Sequence, residues 1–211
     1  MTEEHTRQAI VRWGRSLFER GLTAGSSGNI SVKYDDFYLM TPTNSCLGFL
    51  DPMRLAKLSL NGSLISGDPP TKELPLHISF YEARQSARAI VHLHSTYATA
   101  LSCLNDTDSD DAVPPITPYV VMRVGRVPVV PYMRPGSADV AIHIRDKAPN
   151  HAAILLGNHG PVVAGSSLES AVFAMEELEA TAKLVLLTRG LPVRQLDSDQ
   201  IRDLNATLDL R

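Results

Sequence analysis

Two histidines one residue apart, His92 and His94, stand in the apolar run "AIVHLHS". In a β-strand, side chains alternate between faces, so residues i and i+2 project the same way, and two imidazoles so placed can share one metal ion. A lone histidine in such a run is ordinarily a core residue bonded to a backbone carbonyl; the pairing favours a metal. His159 offers a third ligand, at the tip of "LLGNHGPVV" between Asn158 and Gly160, where a turn can aim one ring at a cleft. Three histidines leave a coordination position open, as catalytic sites do, and imidazole suits zinc, with iron, cobalt and nickel as alternatives.

His5, His77, His143 and His151 show no comparable pairing and read as structural or surface residues. Thr96 stands where a metallo-β-lactamase motif would carry an acid, and "STYATAL" stands where a cupin would carry a glutamate, so those two readings fall away.

A second constellation suits an anion. "AGSSGN", residues 24–29, offers successive backbone N–H groups with Ser26, Ser27 and Asn29, and "TPTN", residues 41–44, lies at the other end of the same hairpin. "PTKE", residues 70–73, sets a hydroxyl, an ammonium and a carboxylate ahead of a helix N-terminus, a place suited to phosphate. Glu73 alone is equally a surface acid favoured by the helix dipole; a metal nearby would change its meaning.

The elements that must position these groups follow from pattern and punctuation. Residues 3–20 carry Ile10, Trp13 and Leu17 near helical spacing, with Glu3 and Glu4 in the first turn and Gly21 as a stop. "NISVKY" and "FYLMTP" flank an Asp35-Asp36 turn, and a second hairpin turns at Asn61-Gly62. Between them Asp51 and Pro52 open a short helix. A helix is expected near 73–85, a strand in "ARAIVHLHS", a short helix in "TYATALSCL", and a helix from Ser137. "YVVMRVGRVPVVPYMRPG" reads as β-rich and broken by prolines. "HAAILLGNHGPVVAG" reads as a hairpin, and Ser166 with Glu169 as a capping box ahead of a helix to about Arg189. Hairpins flanked by helices without regular βαβ alternation indicate an α+β or three-layer α/β/α domain, and the absence of GxGxxG after a strand argues against a Rossmann fold.

The 211 residues suffice for one sizeable core, so a single domain over 1–211 is expected. A net charge of -3 gives no electrostatic reason to expect nucleic acid or an anionic membrane as partner. No apolar run of about 18 residues could span a bilayer, and "MTEEHTRQ" lacks the basic then apolar pattern of a signal peptide, so a cytoplasmic location is expected. Cys46 and Cys103 read as reduced, small, buried side chains.

Taken together, "GSSGNIS", "MTPT", Lys72-Glu73, "HLHS" and "NHG", in that order over most of the chain, resemble the class II aldolase/adducin family, which includes L-fuculose-phosphate aldolase and L-ribulose-5-phosphate 4-epimerase. The resemblance implies an α/β protein: a three-layer α/β/α domain with a mixed, largely antiparallel sheet, usually a homotetramer with each active site near a subunit contact. Carried over by position, it implies His92, His94 and His159 as ligands of one zinc ion per subunit, and Glu73 as acid/base, able to approach the metal when substrate is absent. Gly28, Asn29, Thr43, Asn44, Thr71 and Lys72 would bind the phosphate and substrate, and Tyr119 is the candidate for a residue reaching into a neighbour's site, or else a packing tyrosine. Thr71-Lys72 departs from the two serines that precede the glutamate in fuculose-phosphate aldolase.

Longer strings, "GDPPTKELPLH", "VHLHSTYATALS", "LLGNHGPVVAG" and "EELEATAKL", are similar to the family's 3-oxo-tetronate 4-phosphate decarboxylase branch. That similarity implies a small phosphorylated sugar-acid substrate, decarboxylated to dihydroxyacetone phosphate and CO2 through an enediolate whose charge zinc stabilises. A sugar-phosphate aldolase or epimerase is the alternative, and a non-catalytic adducin-like scaffold the second.

Overall fold

Strands β2 (Phe37–Met40), β5 (Ala89–His92) and β7 (Ala153–Leu156) are buried at every residue, a pattern that requires cover on both faces of a sheet. The computed structural model describes residues 2–208, with side chains through 206, and supplies that cover. Those strands join β1 (Asn29–Lys33), β3 (Ala56–Ser59), β4 (Leu64–Ser66), β6 (Val129–Val130) and β8 (Gly160–Gly165) in one eight-stranded sheet of order β4-β3-β2-β1-β5-β8-β7-β6. Every pairing is antiparallel except β6 with β7, so the sheet is mixed and largely antiparallel.

Alternate residues of the central strands feed two separate cores. Leu39, Val91, Leu155 and Val163 pack with Ile10 and Leu17 of α1 (Glu3–Glu19), Leu101 of α3 (Thr96–Ser102), Val120 of α4 (Pro118–Arg123) and Val172, Met175 and Leu178 of α6 (Leu168–Leu187). On the opposite face Met40, Ile90, Ile154 and Val162 pack with Leu76 and Phe80 of α2 (Leu74–Ala83) and Ile144 of α5 (Val140–Lys147). His92 continues the Ile90 side of β5 and therefore faces the α2 layer. A last helix, α7 (Ser198–Leu208), packs on α4. Among the described residues no helix is long and apolar enough to cross a membrane.

Most local expectations match. The Asp35-Asp36 and Asn61-Gly62 hairpins form, and the Asp51 side chain accepts the Met53 N–H ahead of a single 3-10 turn, Pro52–Arg54. Three differ. Residues 119–136, expected as β-rich, hold only the two-residue β6, and their start lies in α4, because the Thr117 side chain accepts the Val120 N–H and Pro118 occupies the first turn; capping outweighed a valine-rich composition. The capping box before α6 is Ser167 with Ser170, one residue beyond Ser166 and Glu169. Strand β5 ends at His92, so His94 lies past it, on the segment that turns into α3.

Candidate active site

His92 ends β5 fully buried, opposite Asn29 of β1 and Val162 of β8. Its Nδ1 lies 2.8 Å from the carbonyl oxygen of Pro161, which also accepts the Leu93 N–H. A carbonyl only accepts, so Nδ1 carries the proton and Nε2 presents its lone pair to the site in the neutral ring. His159 occupies the β7–β8 turn, closed by its own N–H donating to the Leu156 carbonyl, with Asn158 in the left-handed region at φ 54. Gly160 follows because a Cβ there would collide with the Leu93 carbonyl, so its bare backbone lets the turn approach the chain at His94.

The result is a tight cluster. His94 Nε2 lies 3.2 Å from His92 Nε2 and 3.0 Å from His159 Nε2, and Glu73 oxygens lie 3.0 Å from His92 Nε2 and 3.4 Å from His159 Nε2. One ligand atom from each of the four lies within 4.8 Å of the others. Four groups whose lone pairs converge at these distances repel one another unless positive charge sits among them. Tetrahedral zinc with Zn–N near 2.05 Å would space its nitrogens by roughly 3.3 Å. The donor set therefore fits a divalent metal held by imidazole.

Electrostatics point the same way. Burial of the rings, followed by the neighbouring His92, brings His159 down to about 4 against the opposing pull of Glu73. The same causes, with His159 added, bring His94 to about 4. Both are unprotonated at neutral pH, as ligands must be. Burial would raise the Glu73 carboxyl, but His92, an N–H from Asn29 and His159 outweigh it and hold the group below the ordinary carboxylate range.

The three expected anion-binding segments meet beside this cluster. Gly28, at φ 79, places a bare Cα where a Cβ would stand 3.1 Å from the His92 carbonyl oxygen. Asn29 donates from Nδ2 to Glu73 Oε2 at 2.9 Å. Thr41 bonds to Ile30 in both directions and accepts from the Thr71 N–H, while the Thr43 N–H donates to the Pro69 carbonyl. Thr71 is buried and its hydroxyl accepts the Glu73 N–H, whereas Lys72 and Asn44 are exposed, Asn44 at φ 55. Tyr119 stands on α4, 56% exposed with Arg123 over its ring, and does not line the cavity at Glu73 and His159.

Sequence reasoning missed four contributors. Arg134 and Ser137 line the cavity with Glu73 and His159, and the only signal was a cation in "MRPGS". Glu179 of α6 accepts the Tyr97 and Ala98 N–H groups at 2.9 and 2.8 Å, capping α3 just after His94 where Ser95 makes no side-chain cap. His77, read as structural, bonds to Asn29; its signal was the four-residue spacing from Glu73 along α2.

This three-layer fold, with three histidines and a glutamate at the end of a largely antiparallel sheet, has the architecture of the class II aldolases: L-fuculose 1-phosphate aldolase superposes with a TM-score of 0.87 over 96% of this chain and 95% of its own, at 27% identity. Residues 8–186 match the family described as Class II Aldolase and Adducin N-terminal domain, and the chain belongs to that family. The 3-oxo-tetronate 4-phosphate decarboxylase of Pectobacterium atrosepticum is 52% identical over 205 residues, covering 97% of this chain and 94% of that protein. The crystal structure of YgbL from Klebsiella pneumoniae, an aldolase/epimerase/decarboxylase candidate, superposes with a TM-score of 0.94 at 49% identity, over 97% of this chain and 99% of its own.

Proposed function

We propose that this protein is a metal-dependent carbon-carbon lyase that decarboxylates a 3-oxo-tetronate 4-phosphate to dihydroxyacetone phosphate and CO2. The observation that carries the reading is the convergence of Glu73, His92, His94 and His159, in a chain so similar to a protein of that name. Loss of CO2 from C1 leaves the bonding pair on C2, conjugated with the C3 ketone as an enediolate, and the product requires one proton at C2. Zinc, held by His92, His94 and His159 when bound, supplies Lewis-acid stabilisation of the negative charge that develops on substrate oxygens.

Glu73 is the acid/base. Its carboxylate is ionised in the free site, so the proton it delivers to C2 must first be taken up, and because decarboxylation consumes one proton overall, solvent is its ultimate source. Gly28, Asn29, Thr43, Asn44, Thr71 and Lys72 are assigned to the phosphate and substrate; their meeting at the start of β1, the end of β2 and the N-terminus of α2 supports that assignment. Lys72, exposed beside Glu73, supplies a cation for the phosphate or the leaving carboxylate. We assign the protein to the cytoplasm and to a homotetramer in which the exposed Tyr119 reaches a neighbouring subunit's site.

The test is CO2 release from both C2 epimers of synthetic 3-oxo-tetronate 4-phosphate, measured beside retro-aldol cleavage of L-fuculose 1-phosphate. Decarboxylation of one epimer with negligible aldehyde release is expected. Cleavage of fuculose phosphate alone would establish the aldolase instead, and zinc-free protein with neither activity would establish the scaffold.

A further inference from the structure

Behind Glu73 runs a buried line of polar side chains, of which only Asn29 is assigned to the substrate. Asn29 Nδ2 reaches Glu73, Asn29 Oδ1 meets His77 Nε2, His77 Nδ1 lies 2.7 Å from Ser31 Oγ, and Ser31 Oγ lies 2.8 Å from the Tyr81 hydroxyl. His77, Ser31 and Tyr81 are wholly buried.

The ionised end dictates the direction of every bond. A carboxylate only accepts, so the Asn29 amide must present its NH2 to Glu73 and its oxygen to His77. His77 Nε2 must then carry the proton, leaving Nδ1 as an acceptor in a ring that burial keeps neutral, its pKa lowered to about 3. Ser31 must donate to Nδ1, and the hydrogen of the Tyr81 hydroxyl must go to Ser31. All four donors therefore point toward Glu73, an arrangement in which each bond polarises the next. An amide does not relay protons readily, so this line orients Glu73; it does not conduct.

Resting on the reading of Glu73 as acid/base, we propose that His77 is a positioning residue for the reaction: acting through Asn29, with its proton held on Nε2 by Ser31 and Tyr81, it fixes the orientation of the Glu73 carboxylate from which the proton is transferred. Glu73, His77 and Tyr81 are spaced by four residues on one face of α2 and its cap, and Asn29 and Ser31 lie two apart on β1, so helix and strand contribute alternate members.

The experiment compares His77→Leu, His77→Gln, Ser31→Ala and Tyr81→Phe with the parent in the decarboxylation assay, together with long-range 1H–15N spectra of histidine-labelled, metal-free protein. His77→Leu should lower kcat by about 10- to 100-fold while KM and metal content stay within about twofold. His77→Gln, whose amide N–H can reach Asn29, should recover most of that loss. Ser31→Ala and Tyr81→Phe should cost less than about tenfold, and the parent spectrum should show His77 neutral with hydrogen on Nε2. Hydrogen on Nδ1, a His77→Leu enzyme with parental kcat, or a KM effect without a kcat effect would overturn the proposal. Should His77→Leu fail to fold, parental kcat in both Ser31→Ala and Tyr81→Phe would overturn it instead. A parent inactive on these substrates would defeat the decarboxylase reading, while the spectra would still decide the direction of the line.

Discussion

His92, His94 and His159 come from the sheet end and its turns, where backbone sets the positions: a strand terminus opposite Asn29, a carbonyl of Pro161 on one ring, and a glycine that lets two segments touch. Glu73 comes from the N-terminus of α2, and its carboxylate is set by a side chain, Asn29, which answers in turn to His77. The histidine wall thus depends on main-chain geometry, and the acid wall on the direction of hydrogen bonds. Side-chain substitutions should separate a metal function on one wall from a proton function on the other.

The largest expected effect is on the histidine wall. His94→Ala should weaken zinc retention by more than about 100-fold, because loss of a ligand exceeds the usual cost of disturbing a ligand's outer partner, and decarboxylation should fall to background with it. Normal zinc content in that variant would contradict the ligand assignment. On the other wall, Glu73→Gln should lose about 10²- to 10⁴-fold in turnover, while zinc content and binding of a phosphate-bearing substrate analogue persist. Turnover near the parent's would remove Glu73 from the chemistry.

Acid should strain both walls in one direction. His77, His94 and His159 have folded-state values lowered to about 3, 4 and 4, so between those values and about 6.5 the unfolded chain binds more protons. Their stabilising contribution is complete above about 6.5 and is lost as pH falls through that window. Glu73, also lowered, adds the same sign below its ordinary carboxylate value. Urea midpoints of the metal-free protein should fall between pH 7 and pH 5, with the fully buried His77 alone contributing a slope of about 1.4 kcal/mol per pH unit once well below 6.5. A flat profile over that interval would show that these imidazoles are not held neutral by the fold. The smallest effect belongs to a support of the histidine wall: Glu179→Ala frees two N–H groups of α3 and should cost about 1–2 kcal/mol of stability, checked by thermal unfolding, with zinc content reduced only modestly.

Much of the histidine wall was legible. The spacing of His92 and His94 predicts convergence even though β5 stops at His92, because the Leu93 N–H still donates to the Pro161 carbonyl and Ser95 is extended before α3 begins. His159 was legible as a turn residue through Asn158 and Gly160, which mark the left-handed bend and the close approach. The acid wall was less legible. Glu73 in a first helical turn has the same local signature as any surface acid, and His77 has that of any core histidine. Glu179 was hidden because its partners, Tyr97 and Ala98, are some eighty residues away in the chain. The helix at 118–123 was missed for a local reason, a Thr-Pro cap obscured by a valine- and proline-rich neighbourhood.

The chain by itself determined the periodicities: continuous apolar strands that demand helices on both faces, two histidines on one side of an extended segment, and a stripe of Glu73, His77 and Tyr81 on one helical face. These follow from backbone geometry, which acts over a few residues. Only the tertiary structure decided how closely Glu73 approaches the three histidines, that Asn29 lies opposite His92 and faces Glu73, and which nitrogen of His77 bears its proton. Those outcomes rest on the register of strands far apart in the chain and on contacts near 3 Å, and hydrogen-bond direction has no meaning until both partners are in place.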